Sequence, residues 1–81
     1  MNIYKLSQSK NESYATYDSA IVTAKDEEKA RYLHPNGSID WDGIDEKYSS
    51  WASAEDIDIE LIGKAKKGTK EGVILASFNA G

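Results

Sequence analysis

Residues 20–35 read AIVTAKDEEKARYLHP and decide the fold class that the sequence predicts. The first five residues are apolar or β-branched, which is typical of a β-strand. Asp26 then stands where a helix N-cap is preferred, and Glu27 and Glu28 place negative charge at the positive end of the helix dipole. Pro35 cannot continue a helix, so the predicted helix is about two turns long and needs a sheet to pack against. A strand followed by a short helix indicates an α+β fold.

Three further strands are expected around this unit. Residues 3–6 predict a first strand, which can form a hairpin with the strand at 20–24. Residues 57–61 alternate apolar and acidic side chains, which places the apolar ones, Leu61 among them, on the core face. Residues 73–78 are apolar on both faces, which is typical of a central strand. We therefore expect a mainly antiparallel sheet of about four strands, in the order β-β-α-β-β, with one helix on one face. A β-grasp topology has the same element order and is the alternative.

Length and composition predict one small domain that spans residues 1–81. The chain has 81 residues and 40% hydrophobic content, enough for one modest core but not for two. It contains no cysteine, which excludes disulfides and thiolate metal sites and fits a reducing compartment. The sequence has no apolar run of signal-peptide or membrane-spanning length. We expect a cytoplasmic protein with no membrane partner.

Charge is distributed unevenly along the chain. Residues 26–60 carry eleven acidic side chains against three basic ones, whereas residues 61–81 carry four lysines against one glutamate. The net charge of −4 repels a phosphate backbone, so direct nucleic-acid binding by the whole protein is not expected.

The sequence lacks the residue sets that catalysis or metal binding needs. His34 is the single histidine, and next to a helix end it is read as a partner of the helix dipole, not as a base. Residues 38–43 resemble the start of an EF-hand loop, but Ser49 stands where the bidentate glutamate belongs. The chain is therefore predicted to be no enzyme, with no catalytic residues, no bound metal and no cofactor.

An acidic and aromatic segment is the predicted partner-binding site. Its residues 38–54 are read as a long loop with a helical turn or as a short extra strand. Trp51 is expected in the core, and Trp41 fits the core and the surface equally. Aromatic side chains among carboxylates can engage a surface rich in arginine and lysine. The predicted partner-binding residues are Asp40, Trp41, Asp42, Asp45, Glu46, Tyr48, Glu55 and Asp56.

Two alternatives use other surfaces. A lysine-rich loop between the last two strands, read as a solvated hairpin loop, is an alternative basic patch for a nucleic acid or nucleotide. Its residues are Lys64, Lys66, Lys67 and Lys70. The third hypothesis is a structural homo-oligomer that associates through the edges of an open sheet, so both a monomer and a small homo-oligomer are considered.

Several stretches resemble a family of short uncharacterised bacteriophage and prophage proteins. They are residues 17–24, the helix start at 26–31, the segment 34–37 and the ending GVILASFNAG at 72–81; the likeness is weakest in 38–50. The resemblance implies a compact protein of phage origin and gives no site residues. By analogy with small acidic phage proteins, it implies a non-enzymatic protein that binds and modulates a bacterial host protein. The partner would be a nucleic-acid-binding defence complex, and the mode would be occlusion of its basic surface by an anti-CRISPR-type inhibitor.

Overall fold

The fold is a four-stranded antiparallel sheet with one short helix, as predicted. The computed structural model describes residues 1–10, 16–37, 41–43 and 50–79. The elements in chain order are β1 (Asn2–Ser7), β2 (Thr16–Ala24), α1 (Glu27–Arg31), a 3-10 helix η1 (Ala54–Asp56), β3 (Asp58–Lys64) and β4 (Gly72–Asn79). The element order β-β-α-β-β and the α+β class are thus confirmed.

The strand order is β3-β1-β2-β4, with every neighbouring pair antiparallel. The predicted pairing of the first two strands is correct, and this pair forms the centre of the sheet. The alternative β-grasp topology is not observed, because such a sheet pairs its first and last strands in parallel, whereas β1 and β4 are not neighbours here.

Helix α1 begins as predicted but ends early. The Asp26 side chain accepts a hydrogen bond from the Lys29 backbone N–H at 2.9 Å, which caps the first turn. The helix has five residues and ends at Arg31, so it is shorter than the two turns expected. Leu33 and Pro35 are buried, and beyond Arg31 the chain leaves the helical path, with Leu33 in the core cluster formed with the sheet. Packing, not proline alone, therefore sets the end of the helix.

The core lies between the central hairpin and the segment that follows α1. Tyr4 and Leu6 of β1 and Val22 of β2 point to this face, and Ala30 is the buried residue of α1. Trp51 is fully buried among them, as the sequence predicts. A backbone bond from the Tyr17 N–H to the Ser50 carbonyl, 2.7 Å long, brings the tryptophan to the sheet.

One prediction about the last strands is wrong and another holds only in part. The strand at 73–78 was expected in the centre of the sheet, but β4 is an edge strand whose residues Ile74, Leu75 and Phe78 are exposed. Leu61 lies opposite Tyr4 and so on the core face, as expected, but at the middle of the edge strand β3 it is left 56% exposed. The physical reason is the same for both strands. The hairpin takes the centre of the sheet, and a five-residue helix covers little beyond it.

The lysine-rich connection between β3 and β4 is not a hairpin loop, because these strands lie at opposite edges of the sheet. The connection crosses the end of the sheet past β1 and β2. The Ala65 N–H donates to the Met1 carbonyl at 2.9 Å, and the buried Thr23 hydroxyl donates to the Lys70 carbonyl at 2.6 Å. These bonds attach the connection to the sheet.

Candidate functional site

Asp42 and helix η1 are brought together by one backbone contact. The Ala54 N–H donates to the Gly43 carbonyl at 2.8 Å. Gly43 has φ of +83°, and a Cβ at this position would overlap the ring of Tyr32. Glycine therefore permits both the backbone conformation and the close approach. As a result, Asp42 lies beside the turn that carries Glu55 and Asp56.

Arg31 holds η1 in place through two hydrogen bonds to backbone carbonyls. Its Nη1 donates to the Ala54 carbonyl at 2.6 Å and to the Ile57 carbonyl at 3.3 Å. Ala54 is the first residue of η1, and Ile57 directly follows its last residue. The guanidinium therefore connects the end of α1 to the start of β3. Glu55 is exposed and Asp56 is partly exposed on this turn. The arginine thereby positions two of the residues predicted to bind a partner.

Strand β3 extends the row of carboxylates. Asp58 pairs with Ser7 and Glu60 pairs with Lys5, on the face of the sheet opposite the core residues Tyr4 and Leu6. Both acidic side chains are exposed. We call the set Asp42, Glu55, Asp56, Asp58 and Glu60 the acidic edge.

The carboxylates of the acidic edge on η1 and β3 are available to a partner. Among the residues that the structure describes, Glu55, Asp56, Asp58 and Glu60 form no ion pair. The strand continues with Leu61 and Ile62, whose side chains are exposed. Sequence reasoning had assigned the acids of β3 only to the solvent side of a strand, and had assigned Leu61 to the core. The edge strand thus carries its carboxylates Asp58 and Glu60 on one face of the sheet and the exposed Leu61 on the other.

The remaining predicted partner-binding residues are placed differently or lie outside the described residues. The ones outside are Asp40, Asp45, Glu46 and Tyr48. Trp41 is partly buried against the core, and its ring meets the ring of His34 edge-on at a centroid distance of 5.3 Å. As an anchor for a partner, Trp41 would offer only part of its ring.

His34 belongs to an aromatic cluster and not to the last turn of α1. The residue is buried, and its ring meets the rings of Tyr17 and Trp41 edge-on. Its Nδ1 accepts a hydrogen bond from the Asn36 backbone N–H at 3.1 Å. Phe78 of β4 adds a fourth ring, 4.8 Å from that of Tyr17. The expected pairing of His34 with the helix dipole is not what the structure shows, because the helix ends three residues earlier.

The four lysines of the alternative basic patch are all exposed. They lie at the end of β3 and in the connection that follows, whereas η1 precedes the start of β3. Seven residues of extended chain separate the two groups by about 20 Å. The connection has local order, since the Thr69 hydroxyl donates to the Lys66 carbonyl at 2.6 Å. Acidic and basic surfaces are therefore at opposite ends of one edge strand.

A groove of about 280 Å³ beside α1 is lined by Glu28, Lys29, Tyr32, Leu33 and Glu71. In the described ranges, no three His, Cys, Asp or Glu side chains are grouped so as to hold a metal ion. Within the same ranges, no helix has the length and apolar character to cross a membrane.

Comparison with known proteins gives no match: no protein-family model, no curated protein and no solved structure is significantly similar to this chain. The likeness to short phage proteins and the function that it implies therefore stay predictions.

Proposed function

We propose that this chain acts as a non-enzymatic protein-binding domain that uses the acidic edge to contact a basic partner. The observation that carries the proposal is the run of exposed or partly exposed carboxylates along η1 and β3, which form no ion pair with a described residue although Lys5 lies opposite Glu60. Such carboxylates are hydrated in the free protein and can gain charge-assisted hydrogen bonds from arginine or lysine of a partner. The acidic edge supplies charge for recognition and for steering of the encounter.

The exposed apolar residues of β3 supply the second half of the contact. Leu61 and Ile62 follow the carboxylates on the same strand. Protein interfaces typically combine a desolvated apolar centre with a polar or charged rim.

The partner that fits this surface is a protein with a basic groove. A groove evolved to bind nucleic acid carries clustered lysine and arginine, and an acidic protein can occupy it. The proposed partner is a bacterial host protein of this kind in the cytoplasm, such as a nucleic-acid-binding defence complex that the chain inhibits by occlusion. This proposal rests on the acidic edge together with the likeness to small phage proteins.

The test is capture of partners from a bacterial lysate by the immobilised protein and by two charge-matched variants. Each variant removes three carboxylate charges from the net charge of −4. The site variant is Glu55→Gln, Asp58→Asn, Glu60→Gln. The control variant neutralises exposed acids elsewhere: Asp18→Asn, Glu28→Gln, Glu71→Gln.

The expected result is a basic protein that the wild type and the control variant retain, that the site variant loses, and that salt releases. Equal retention by both variants would show that the acidic edge does not make the contact. Circular dichroism of each variant verifies that the fold is intact before capture.

The lysine connection supports a second candidate, nucleic-acid binding, because its four side chains are exposed. The nearest of them, Lys64, lies four residues beyond Glu60, roughly 13 Å along β3. Titration with a single-stranded oligonucleotide tests it. Binding that falls steeply with salt and disappears in Lys66→Ala, Lys67→Ala would favour this function over protein binding.

A further inference from the structure

Strand β4 has the composition of an interior strand but lies at the edge of the sheet. From Gly72 to Asn79 it contains no charged residue and no proline. Ile74, Leu75 and Phe78 are 57%, 66% and 48% exposed. Edge strands are usually protected from pairing by charges, by proline, by β-bulges or by short length, and of these β4 has only the extra residue Ile74. The opposite edge, β3, has such protection in its charged side chains.

The free side of β4 can accept an extended occupant. Within the described part of the chain, β2 is the strand that pairs with β4, along one side only. The backbone N–H and C=O groups on the other side repeat at the spacing of a β-ladder, so the segment that satisfies them best is another strand. The pairing with β2 has two irregularities: one between Ile21 and Val22 leaves Ile74 as an extra residue of β4, and one between Tyr17 and Ser19 leaves Asp18 as an extra residue of β2.

We infer that this occupant is β4 of a second copy of the chain. The two strands pair antiparallel about a two-fold axis perpendicular to the sheet, because this symmetry relates antiparallel neighbours. The product is one eight-stranded sheet in which both β4 strands are central. The inference is independent of the proposed function, because the acidic edge lies at the other side of the sheet.

Charge does not oppose a second copy, despite the net charge of −4 on each chain. The two copies meet at neutral strands, and the carboxylates of η1 and β3 lie at the far ends of the joined sheet. Seven strand spacings of about 4.8 Å separate the two β3 strands, roughly 34 Å in all. This separation exceeds the Debye length of about 8 Å at physiological salt several times, so the acidic edges do not oppose association.

The two-fold axis also determines which residue of β4 lies opposite its own copy. In an antiparallel pair, residues directly opposite each other point to the same face. With a two-fold axis, the central residue of β4 must therefore lie opposite its own copy. The midpoint of the eight-residue strand falls between Leu75 and Ala76. One of these two residues is thus the self-paired residue, and the exposed apolar side chains of the two copies flank it.

Sedimentation velocity at increasing concentration tests the association. An interface of two short strands is at the low end of specific interface sizes, below about 1,200 Å², so we expect a monomer–dimer equilibrium in the micromolar range. Measurements from about 5 to about 500 μM cover that range. A protein that stays monomeric throughout would overturn the inference.

Matched variants on the two edges locate the interface. Ile74→Lys and Leu75→Lys should weaken dimerisation at least about tenfold, because each places a charge in the pairing edge. The controls are Leu61→Lys and Ile62→Lys, at residues 56% and 47% exposed on the opposite edge, and they should leave the dimer unchanged. Because all four residues are exposed, the variants are expected to fold. Equal weakening by both pairs, or weakening by the controls alone, contradicts an interface at β4.

Single cysteines define the geometry, since the natural chain has none. A self-paired residue has its Cα about 4.5–5.5 Å from its copy, within the range for a disulfide, whereas residues two positions away are too distant. Under oxidation, Leu75→Cys or Ala76→Cys should crosslink, and Val73→Cys and Ser77→Cys should not. A dimer in which neither central cysteine crosslinks would refute antiparallel pairing of β4.

Discussion

Replacement of Arg31 by methionine tests how the acidic edge is held in place. The change keeps most of the apolar stem of the side chain and removes the guanidinium. It eliminates the 2.6 Å bond to the Ala54 carbonyl and the 3.3 Å bond to the Ile57 carbonyl. A hydrogen bond from a charged donor contributes about 1.5–3 kcal/mol, and the longer bond contributes less. Because Ala54 O also accepts from the Ile57 N–H, we expect a loss of about 2 kcal/mol in the free energy of unfolding.

Urea unfolding followed by tryptophan emission measures this loss, since the fully buried Trp51 becomes solvated on unfolding. With a slope of about 1 kcal/mol/M for a chain of this size, the midpoint should fall by about 2 M. Lys29→Met on the same helix is the control, because its side chain is exposed, and we expect a change within about 0.5 kcal/mol. Equal urea midpoints for Arg31→Met and the wild type would show that this arginine does not stabilise η1. All variants are compared at one low protein concentration, because self-association adds to stability.

Three further substitutions test local features by equilibrium unfolding. Asp26→Ala should lower the free energy of unfolding by about 1 kcal/mol through loss of the N-cap, whereas Asp26→Asn should retain most of it. Thr23→Val should cost about 1 kcal/mol because the Lys70 carbonyl loses its donor, and Thr23→Ser should cost less; equal losses would contradict this reason. Gly43→Ala should destabilise more than Gly37→Ala, since both have positive φ but only Gly43 has an aromatic ring in the place of the added Cβ. Equal losses would show that strain at φ alone determines the cost.

Local chemistry in the sequence is enough to predict the element types. The Asp26 cap and the alternation at 57–61 act through bonds and faces that lie within a few residues of each other. The end of α1 depends instead on the burial of Leu33 and Pro35 against the sheet, a contact between distant parts of the chain. This is why the helix start was predicted correctly and its length was not.

The candidate site could be predicted only in part, because it too depends on contacts between distant parts of the chain. Glu55 and Asp56 were chosen as acids next to aromatic residues, and both lie on the acidic edge. Asp58 and Glu60 join them because β3 lies at the sheet edge and follows η1 after a single residue. No local pattern specifies strand order, so these two carboxylates could not be distinguished from those of any half-buried strand.

The sequence wrongly predicts a central position for β4 in the sheet of one chain, and the proposed dimer explains why. A strand that is apolar on both faces is suited to neighbours on both sides, but the pattern does not specify whether those neighbours come from the same chain. In one copy β4 has a neighbour on one side, and Leu75 remains 66% exposed. Pairing with a second copy would give β4 the central position that its composition predicts, and would remove an unprotected edge. The crosslink at Leu75→Cys or Ala76→Cys therefore also tests whether the sequence pattern describes the assembled protein and not the single chain.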